Sequence, residues 1–266
     1  MPYNESPGFR QYFEEHGDGF PLLMINGLGS DRLEWLHQLP ALTAHFRMIV
    51  FDNRGTGKSA APPGPYTTAQ MADDAASLLR FLGYKRAHVL GVSLGGMIAQ
   101  EVALRHPDLV EGLVLGCTGP GGSLSVRPDP EALAPFAMAK GEDPEGELRR
   151  MIPFLYTDAC CRERPEEIEG FIRRRMENPT PAEGYIAQLA AAVTHDASER
   201  LERIRARTLV ITGDADRLVN MENSRRIAER IPGAKLVVLP GAPHRLFAED
   251  PDAFNREVLR FLQSGT

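Results

Sequence analysis

The feature that most constrains the fold is a serine held between glycines, at the point where an apolar strand gives way to a helix. Residues 89–100 read VLGVSLGGMIAQ, with Ser93 at the turn. So sharp a turn strains the backbone of the serine, so its neighbours must be small, and Gly91 and Gly95 meet that need. The helix predicted to begin at Leu94 would direct its unpaired N–H groups and its positive dipole end at the serine oxygen. This arrangement is typical of a nucleophile elbow, although a serine between glycines also occurs in ordinary turns.

Two phosphate-binding interpretations of the glycine-rich stretches fail on spacing. A dinucleotide fingerprint requires a glycine where Ser93 stands. Residues 55–59, GTGKS, suggest a phosphate loop, but that motif needs a glycine five residues before Gly57, where the sequence has Asp52. It also needs a helix at the Lys-Ser pair, and the proline-rich residues 60–65 follow instead. A nucleotide-binding protein is therefore not expected.

Composition and charge exclude several classes of protein. A chain of 266 residues with 42% hydrophobic composition can bury a large core, as one α/β domain or as a domain with an insertion. The net charge of −6 and the lack of a basic stripe argue against nucleic acid, and no apolar run approaches the roughly 18 residues needed to span a bilayer. The first residues resemble no secretory signal, so we expect a cytoplasmic protein. The chain has an odd number of cysteines, Cys117, Cys160 and Cys161, and we expect all three to be reduced. Their spacing is not that of metal ligands, so we expect no bound metal.

Strands and helices alternate through most of the chain. Alternating residues at 3–6 and 9–13 predict an antiparallel pair at the start, and residues 21–25 predict a buried strand. Further strands are predicted at 46–51, 87–91, 113–117, 208–213 and 235–239, with clear helices at 68–83 and 252–263. This alternation predicts an α/β fold with a mostly parallel sheet covered by helices on both faces.

The alternation stops between Cys117 and Thr208, where the sequence becomes helical, with starts near residues 130, 143, 164 and 181. We therefore predict a core of residues 1–117 and 207–266, and a helical insertion at 118–206. Most apolar residues of the insertion are expected in its own core, but Phe136, Met138 and Tyr156 are candidates for lining a substrate pocket. The expectation is that the insertion selects substrates and does not set the rate of the chemistry.

Polar residues follow three predicted strands, at the sheet edge where parallel α/β sheets bind ligands. Ser93 follows one strand, Asp214 and Asp216 follow the strand at 208–213, and His244 follows the strand at 235–239. A serine hydroxyl needs a base to take its proton, and an imidazole needs a carboxylate to fix its tautomer. A loop histidine and turn-forming aspartates are common without any function. The order Ser, Asp, His at strand ends nevertheless predicts a catalytic triad.

Either aspartate could hold His244, and the longer loop favours Asp216. Asp214 stands directly after Gly213, whereas Asp216 has two further residues with which to reach the end of the next strand. An oxyanion hole needs two backbone N–H groups. We expect these from Leu94, after the serine, and from Leu28, in the glycine-rich loop that follows the strand at 21–25.

Five stretches together resemble one known family. They are residues 26–29 (NGLG), 52–59 (DNRGTGKS), 91–96 (GVSLGG), 213–216 (GDAD) and 241–244 (GAPH). Over essentially its whole length the chain resembles the α/β-hydrolase superfamily, specifically its small capped esterases, enol-lactonases, methylesterases and cofactor-free haloperoxidases. The resemblance implies an eight-stranded sheet, a nucleophile after the fifth strand, an acid after the seventh, a histidine after the eighth, and a helical lid. The family often has histidine where this chain has Asn26.

The expected function is hydrolysis of small, largely apolar carboxylic esters or lactones through an acyl-enzyme. Ser93 would be the nucleophile, His244 the base and then the acid, and Asp216 the residue that orients His244. No cofactor is expected. The alternatives are a perhydrolase or haloperoxidase, a C–C bond hydrolase of the same fold, or a ligand-binding member with slow turnover. The sequence leaves a homodimer open.

Overall fold

The structure, a computed structural model, describes residues 2–6, 9–136 and 143–264, with the side chains of Ser6 and Phe136 outside that description. Eight strands within these residues form a single sheet in the order β1-β2-β4-β3-β5-β6-β7-β8. The strands are β1 (Tyr3–Ser6), β2 (Phe9–His16), β3 (Phe20–Ile25), β4 (Phe46–Phe51), β5 (Ala87–Val92), β6 (Val110–Gly116), β7 (Arg207–Gly213) and β8 (Lys235–Leu239). The pairs β1–β2 and β2–β4 are antiparallel, and all the others are parallel. The predicted fold class is confirmed.

The helices cover both faces of the sheet and fill the insertion. The described helices are α1 (Leu39–Leu42), α2 (Thr68–Phe81), α3 (Leu94–Arg105), α4 (Pro130–Leu133), α5 (Pro144–Leu155), α6 (Asp158–Glu163), α7 (Pro165–Glu177), α8 (Ala182–Thr194), α9 (Met221–Arg230), α10 (Leu246–Glu249) and α11 (Pro251–Gln263). The α2 helix begins where the Thr67 side chain accepts a hydrogen bond from Gln70 N, 3.1 Å away. Within the described part of the chain, no helix has the length and apolar character to cross a membrane.

Side chains along the central strands alternate between two core layers. In β3, Leu23 and Ile25 pack into the layer that contains residues of α2 and α3. Leu22 and Met24 pack into the opposite layer, with residues of α10 and α11. A parallel sheet buried on both faces needs such continuous apolar strands. Both layers hold the sheet rigid beneath the loops that leave its carboxyl edge.

The insertion has a small core of its own and is closed at its base. That core is formed by Tyr156, directly after α5, and by residues of α5, α6 and α7, namely Ile152, Cys160, Ile168, Phe171 and Ile172. At the base, Gly121 pairs with Asp196, and Ala197 N donates to Pro120 O at 2.9 Å. Leu201 and Ile204, within the predicted insertion, pack into the core of the sheet. The division at residues 118 and 206 remains a prediction.

Several boundaries differ from the sequence prediction by one to three residues, and backbone conformation explains two of these differences. The strand predicted at 113–117 is β6, which begins three residues earlier at Val110. Cys117 lies outside it because its backbone φ is 39°, a left-handed conformation that ends the strand. The helix predicted to end at Gly83 ends at Phe81, and Gly83 takes a φ of 81° after it, as a residue beyond a helix C-terminus often does.

Two buried histidines make stability depend on pH. His88 is 2% exposed and packs against the Phe20 and Phe46 rings, and His195 is 3% exposed. Burial lowers the pKa of each from 6.5 to about 4. The unfolded chain therefore takes up protons at a higher pH than the folded chain does. The stability contributed by the neutral rings is complete above pH 6.5 and is lost as the pH falls towards 4.

We expect the free energy of unfolding to fall by ~2 kcal/mol for each of these histidines between pH 7.5 and pH 5, on the linkage relation. Urea unfolding at the two pH values measures it. The substitution His88→Leu should remove about half of the combined decrease in the free energy of unfolding, because it removes one of the two buried titrating rings. The exposed His45→Gln serves as the control and should leave the decrease unchanged. An unfolding free energy that His88→Leu leaves equally dependent on pH would contradict the prediction.

Candidate active site

The turn between β5 and α3 holds Ser93 in a strained conformation. Its φ is 54° and its ψ is −124°, and of the described residues other than glycine only Ser93 and Cys117 have a positive φ. A Cβ added to Gly91 would collide with the carbonyl oxygen of Gly95, and one added to Gly95 would collide with that of Ile25. Glycine at 91 therefore lets the start of α3 approach the strand before it, and glycine at 95 lets the turn pack against the end of β3. The Ser93 side chain stays partly exposed at the carboxyl edge of the sheet.

Neighbouring strand ends fix this turn in place. Ser93 N donates to Gly116 O at 2.9 Å, and Thr118 Oγ1 donates to Ser93 O at 2.7 Å. The 26–29 loop lies on the other side, where a Cβ on Gly27 would stand 3.9 Å from Ser93 Oγ. Leu94 is the first residue of α3, so its N–H has no acceptor within the helix. Thus the elbow, a free helix N–H and the glycine-rich loop meet at one point.

The acid and the histidine meet after β7 and β8. His244 Nδ1 lies 2.8 Å from Asp216 Oδ2, and the two residues are 5% and 9% exposed. The other carboxylate oxygen of Asp216 accepts hydrogen bonds from Leu218 N at 2.9 Å and Val219 N at 2.8 Å. These two backbone donors fix the carboxylate, so one of its oxygens is left for the imidazole.

Asp214 has a different partner. Its Oδ1 accepts a hydrogen bond from Gly241 N at 2.6 Å, and the residue is exposed. It thereby ties the loop after β7 to the loop after β8, which carries His244. The structure thus brings Asp216, and not Asp214, into contact with His244.

Asn26 forms part of the scaffold of the 26–29 loop. Its side-chain Nδ2 donates to Phe51 O at 2.7 Å, and its backbone carbonyl oxygen accepts from Asn53 Nδ2 at 3.2 Å. The residue is fully buried. Its side chain therefore joins the ends of β3 and β4, and the part of the loop next to Ser93 is Gly27.

The 52–59 turn is built around a buried carboxylate and not around a phosphate. Asp52 accepts hydrogen bonds from Lys58 N and Arg32 N, each at 2.8 Å. A Cβ on Gly57 would collide with the same carboxylate. Because the backbone N–H of Lys58 is already bonded within the protein, the turn does not offer the open cradle of N–H groups that a phosphate loop needs.

A buried ion pair lies directly beside His244. Arg245 is 5% exposed, pairs with Glu34, and donates through Nε to Tyr156 Oη at 2.8 Å. Burial alone would raise the pKa of the Glu34 carboxyl, but the charges of Arg245 and Arg175 and the hydrogen bond from Arg245 together hold the pKa below its ordinary value. Arg245 N also donates to Leu155 O at 3.0 Å. The insertion is therefore bonded to the loop that carries His244.

Of the three predicted pocket residues of the insertion, the structure describes only Tyr156 in full. Tyr156 is 2% exposed and packs against Phe171, and its hydroxyl also donates to Glu167 Oε1 at 3.2 Å. Burial raises its pKa above the ordinary value. Of Phe136 the structure describes only the backbone, at the end of a short 3-10 helix, and Met138 lies outside the described residues.

Cys117 lies near both the Ser93 backbone and the Asp216 carboxylate. It follows β6 directly, is fully buried, and its thiol is free, as the sequence predicted. Burial raises the pKa of this thiol well above its ordinary value, and the nearby Asp216 charge raises it further. The thiol therefore stays protonated and does not compete as a nucleophile.

Sequence reasoning missed three polar residues that contact the site from outside the elbow and the strand ends. They are Arg245, Gln188 and Thr180. Arg245 could have been suspected from its place beside His244. Gln188 is a polar residue between Ala187 and Ala191 on the buried face of α8, which is the one signal it gives in the sequence. Thr180 gives none.

Comparison with known proteins agrees with this architecture. A sequence model described as alpha/beta hydrolase fold matches residues 21–251. A relative from Caulobacter sp. (strain K31), named "Putative carbamate hydrolase RutD", is 34% identical over 260 residues, which are 94% of this chain and 95% of that protein.

Solved structures agree as well. The enol-lactonase from Burkholderia xenovorans LB400 has a TM-score of 0.86 and 29% identity, covering 98% of this chain and 100% of that one. A thermophilic esterase from Thermogutta terrifontis has a TM-score of 0.85 and 32% identity, covering 99% of this chain and 97% of that one. The protein therefore belongs to the α/β-hydrolase family and is a hydrolase of that fold.

Proposed function

We propose that the protein is a serine hydrolase that cleaves carboxylic esters or lactones of small, largely apolar substrates through an acyl-enzyme. The observation that carries the proposal is the 2.8 Å contact between His244 Nδ1 and Asp216 Oδ2, at the same sheet edge as the strained Ser93. An aspartate on Nδ1 leaves Nε2 free to accept a proton, which is the form of histidine that a serine nucleophile needs.

In the proposed reaction each of these groups has one role. His244 Nε2 takes the Ser93 proton as Oγ attacks the substrate carbonyl, and Asp216 stabilises the imidazolium that forms. The Leu28 and Leu94 N–H groups bind the oxyanion, and the leaving alkoxide takes the proton from His244. Water, activated by the same imidazole, adds to the acyl-enzyme and releases the acid. No cofactor takes part in this scheme.

A carbamate is the second candidate substrate class, because several relatives carry the name of a carbamate hydrolase. Attack by Ser93 on a carbamate carbonyl would follow the same course, with a carbamoyl group on the serine as the intermediate. That intermediate is less electrophilic than an ordinary acyl ester, so its hydrolysis would be the slower half of the reaction.

The insertion at 118–206 is proposed as a lid over this site. We keep Phe136, Met138 and Tyr156 as candidates for residues that select the substrate. We also propose that the protein is cytoplasmic. Because Tyr156 bonds to Arg245 beside His244, a change there would disturb both the lid and the histidine loop. A homodimer remains a proposal.

A substrate panel tests the proposed function. It contains p-nitrophenyl esters of increasing acyl length, simple lactones, and an aryl N-alkyl carbamate, each measured with the parent and with Ser93→Ala. We expect the parent to turn over short esters or lactones and Ser93→Ala to turn over none of them. Faster steady-state release from the carbamate than from any ester would favour the second candidate. Absence of both turnover and an initial burst with every substrate would contradict both.

A further inference from the structure

The backbone of Gly29, one residue after the proposed oxyanion donor Leu28, is bonded to the lid on both sides. Gly29 N donates to Gln188 Oε1 of α8 at 2.8 Å. Gly29 O accepts from Thr180 Oγ1, in the loop between α7 and α8, at 2.8 Å. Two parts of the insertion that are eight residues apart in sequence therefore hold one residue of the core, through the two peptides that flank it.

Gln188 is anchored at its other end as well. It is fully buried, and its Nε2 donates to Arg54 O at 2.8 Å. The side chain thus bridges the loops that follow β3 and β4, with both amide ends satisfied. A buried amide with two bonded ends has one orientation only, because any rotation would leave a buried polar group unpaired.

The geometry of the 26–29 loop explains why this matters. Ser30 N donates to Gly27 O at 3.2 Å, so Leu28 and Gly29 are the two central residues of a β-turn. Gly29 has a φ of 62°, and a Cβ there would stand 2.8 Å from the Tyr185 ring. The peptide between the central residues of a β-turn can flip to give another turn type. The acceptor on Gly29 N fixes the orientation of that peptide, and the Thr180 hydroxyl fixes the next peptide through Gly29 O. The N–H of this second peptide is Ser30 N, which holds Gly27 O. Because Gly27 O and the Leu28 N–H belong to the same peptide, the direction of the Leu28 N–H is fixed as well.

We propose that Gln188 and Thr180 are positioning residues that hold the oxyanion hole in its productive geometry. This inference rests on the proposed function, and it differs from the sequence expectation that the lid governs substrate choice alone. Oxyanion donors act because they are oriented before charge develops. A lid that fixes the turn at residues 27–30 therefore contributes to the rate of the chemical step.

Isosteric variants test this inference. Gln188→Met removes both hydrogen bonds at similar volume, and Thr180→Val removes the hydroxyl, which Thr180→Ser restores. The exposed Gln70→Met on α2 is the matched control. Loss of one oxyanion donor costs about 10²–10³ in kcat, so a misdirected donor should cost somewhat less. We expect kcat to fall by ~30-fold in Gln188→Met and by ~5-fold in Thr180→Val, KM to change less than threefold, and Thr180→Ser to recover the parent value.

A transition-state analogue separates positioning from a general loss of structure. An aryl trifluoromethyl ketone forms a tetrahedral adduct with the serine, and its oxygen occupies the oxyanion hole. Its inhibition constant should rise in Gln188→Met by about the factor by which kcat falls, and the pH dependence of kcat/KM should stay as in the parent. If Gln188→Met does not fold, as judged by circular dichroism, the Thr180 pair decides.

The outcomes distinguish the two proposals. A parent that turns over esters, with Gln188→Met and Thr180→Val folded and within threefold of its kcat, would overturn the positioning role and leave the proposed function intact. A fall in kcat without weaker binding of the ketone would also overturn it. A parent that neither hydrolyses esters nor reacts with a fluorophosphonate at Ser93 would remove the proposed function and this inference with it.

Discussion

Replacing Ser93 with alanine should lower ester turnover by a factor on the order of 10⁶, as happens when a triad acts as a unit. The nearby thiol of Cys117 cannot take its place, because it is buried and protonated. The substitution removes a single oxygen at a partly exposed site. The strained backbone at φ 54° already accommodates a Cβ, so the fold should be retained.

Steady-state turnover of a short p-nitrophenyl ester measures this loss, with circular dichroism as the check on folding. The control is Ser125→Ala, which changes an exposed serine away from the elbow and should keep the parent's activity. A fluorophosphonate should label the parent at Ser93 and leave Ser93→Ala unlabelled. Activity of Ser93→Ala within tenfold of the parent would refute the assignment of the nucleophile.

The framework of the candidate site could be predicted because it depends on short-range patterns. A parallel sheet places every strand's carboxyl end along one edge, so residues that follow strands come together whatever the helices between them do. Ser93 follows β5 directly, Asp216 and His244 lie in the loops that leave β7 and β8, and the glycines around Ser93 mark the strained turn. The same reasoning placed the 26–29 loop beside the serine, where the structure has Gly27.

The contacts of the lid could not be predicted in this way. Gln188 reaches Gly29 across 159 positions of sequence, and Tyr156 meets Arg245 across 89. Such contacts depend on how the helices of the insertion dock on the sheet, and local periodicity carries no information about that. Alanines dominate the sequence of α8, and one glutamine among them does not indicate which part of the core it contacts.

A second large effect separates the two aspartates after β7. Asp216→Asn should lower turnover by at least ~10³, since the same replacement in a serine protease costs about 10⁴. One side-chain oxygen of Asp216 is required by Leu218 N and Val219 N. An asparagine would keep its oxygen there and turn its NH₂ towards His244. Nδ1 would then have to accept a hydrogen bond, the ring proton would move to Nε2, and the base that Ser93 needs would be lost.

Asp214→Asn should cost less than ~30-fold, because its role is to tie two loops together and not to choose a tautomer. The asparagine oxygen can still accept from Gly241 N, which is 2.6 Å from Asp214 Oδ1. The two loops also remain joined by Ala215 N, which donates to Ala242 O at 3.1 Å. Turnover is compared on proteins that circular dichroism shows to be folded. If Asp214→Asn proved the more damaging of the two, the contact between His244 and Asp216 would not be the one that supports catalysis.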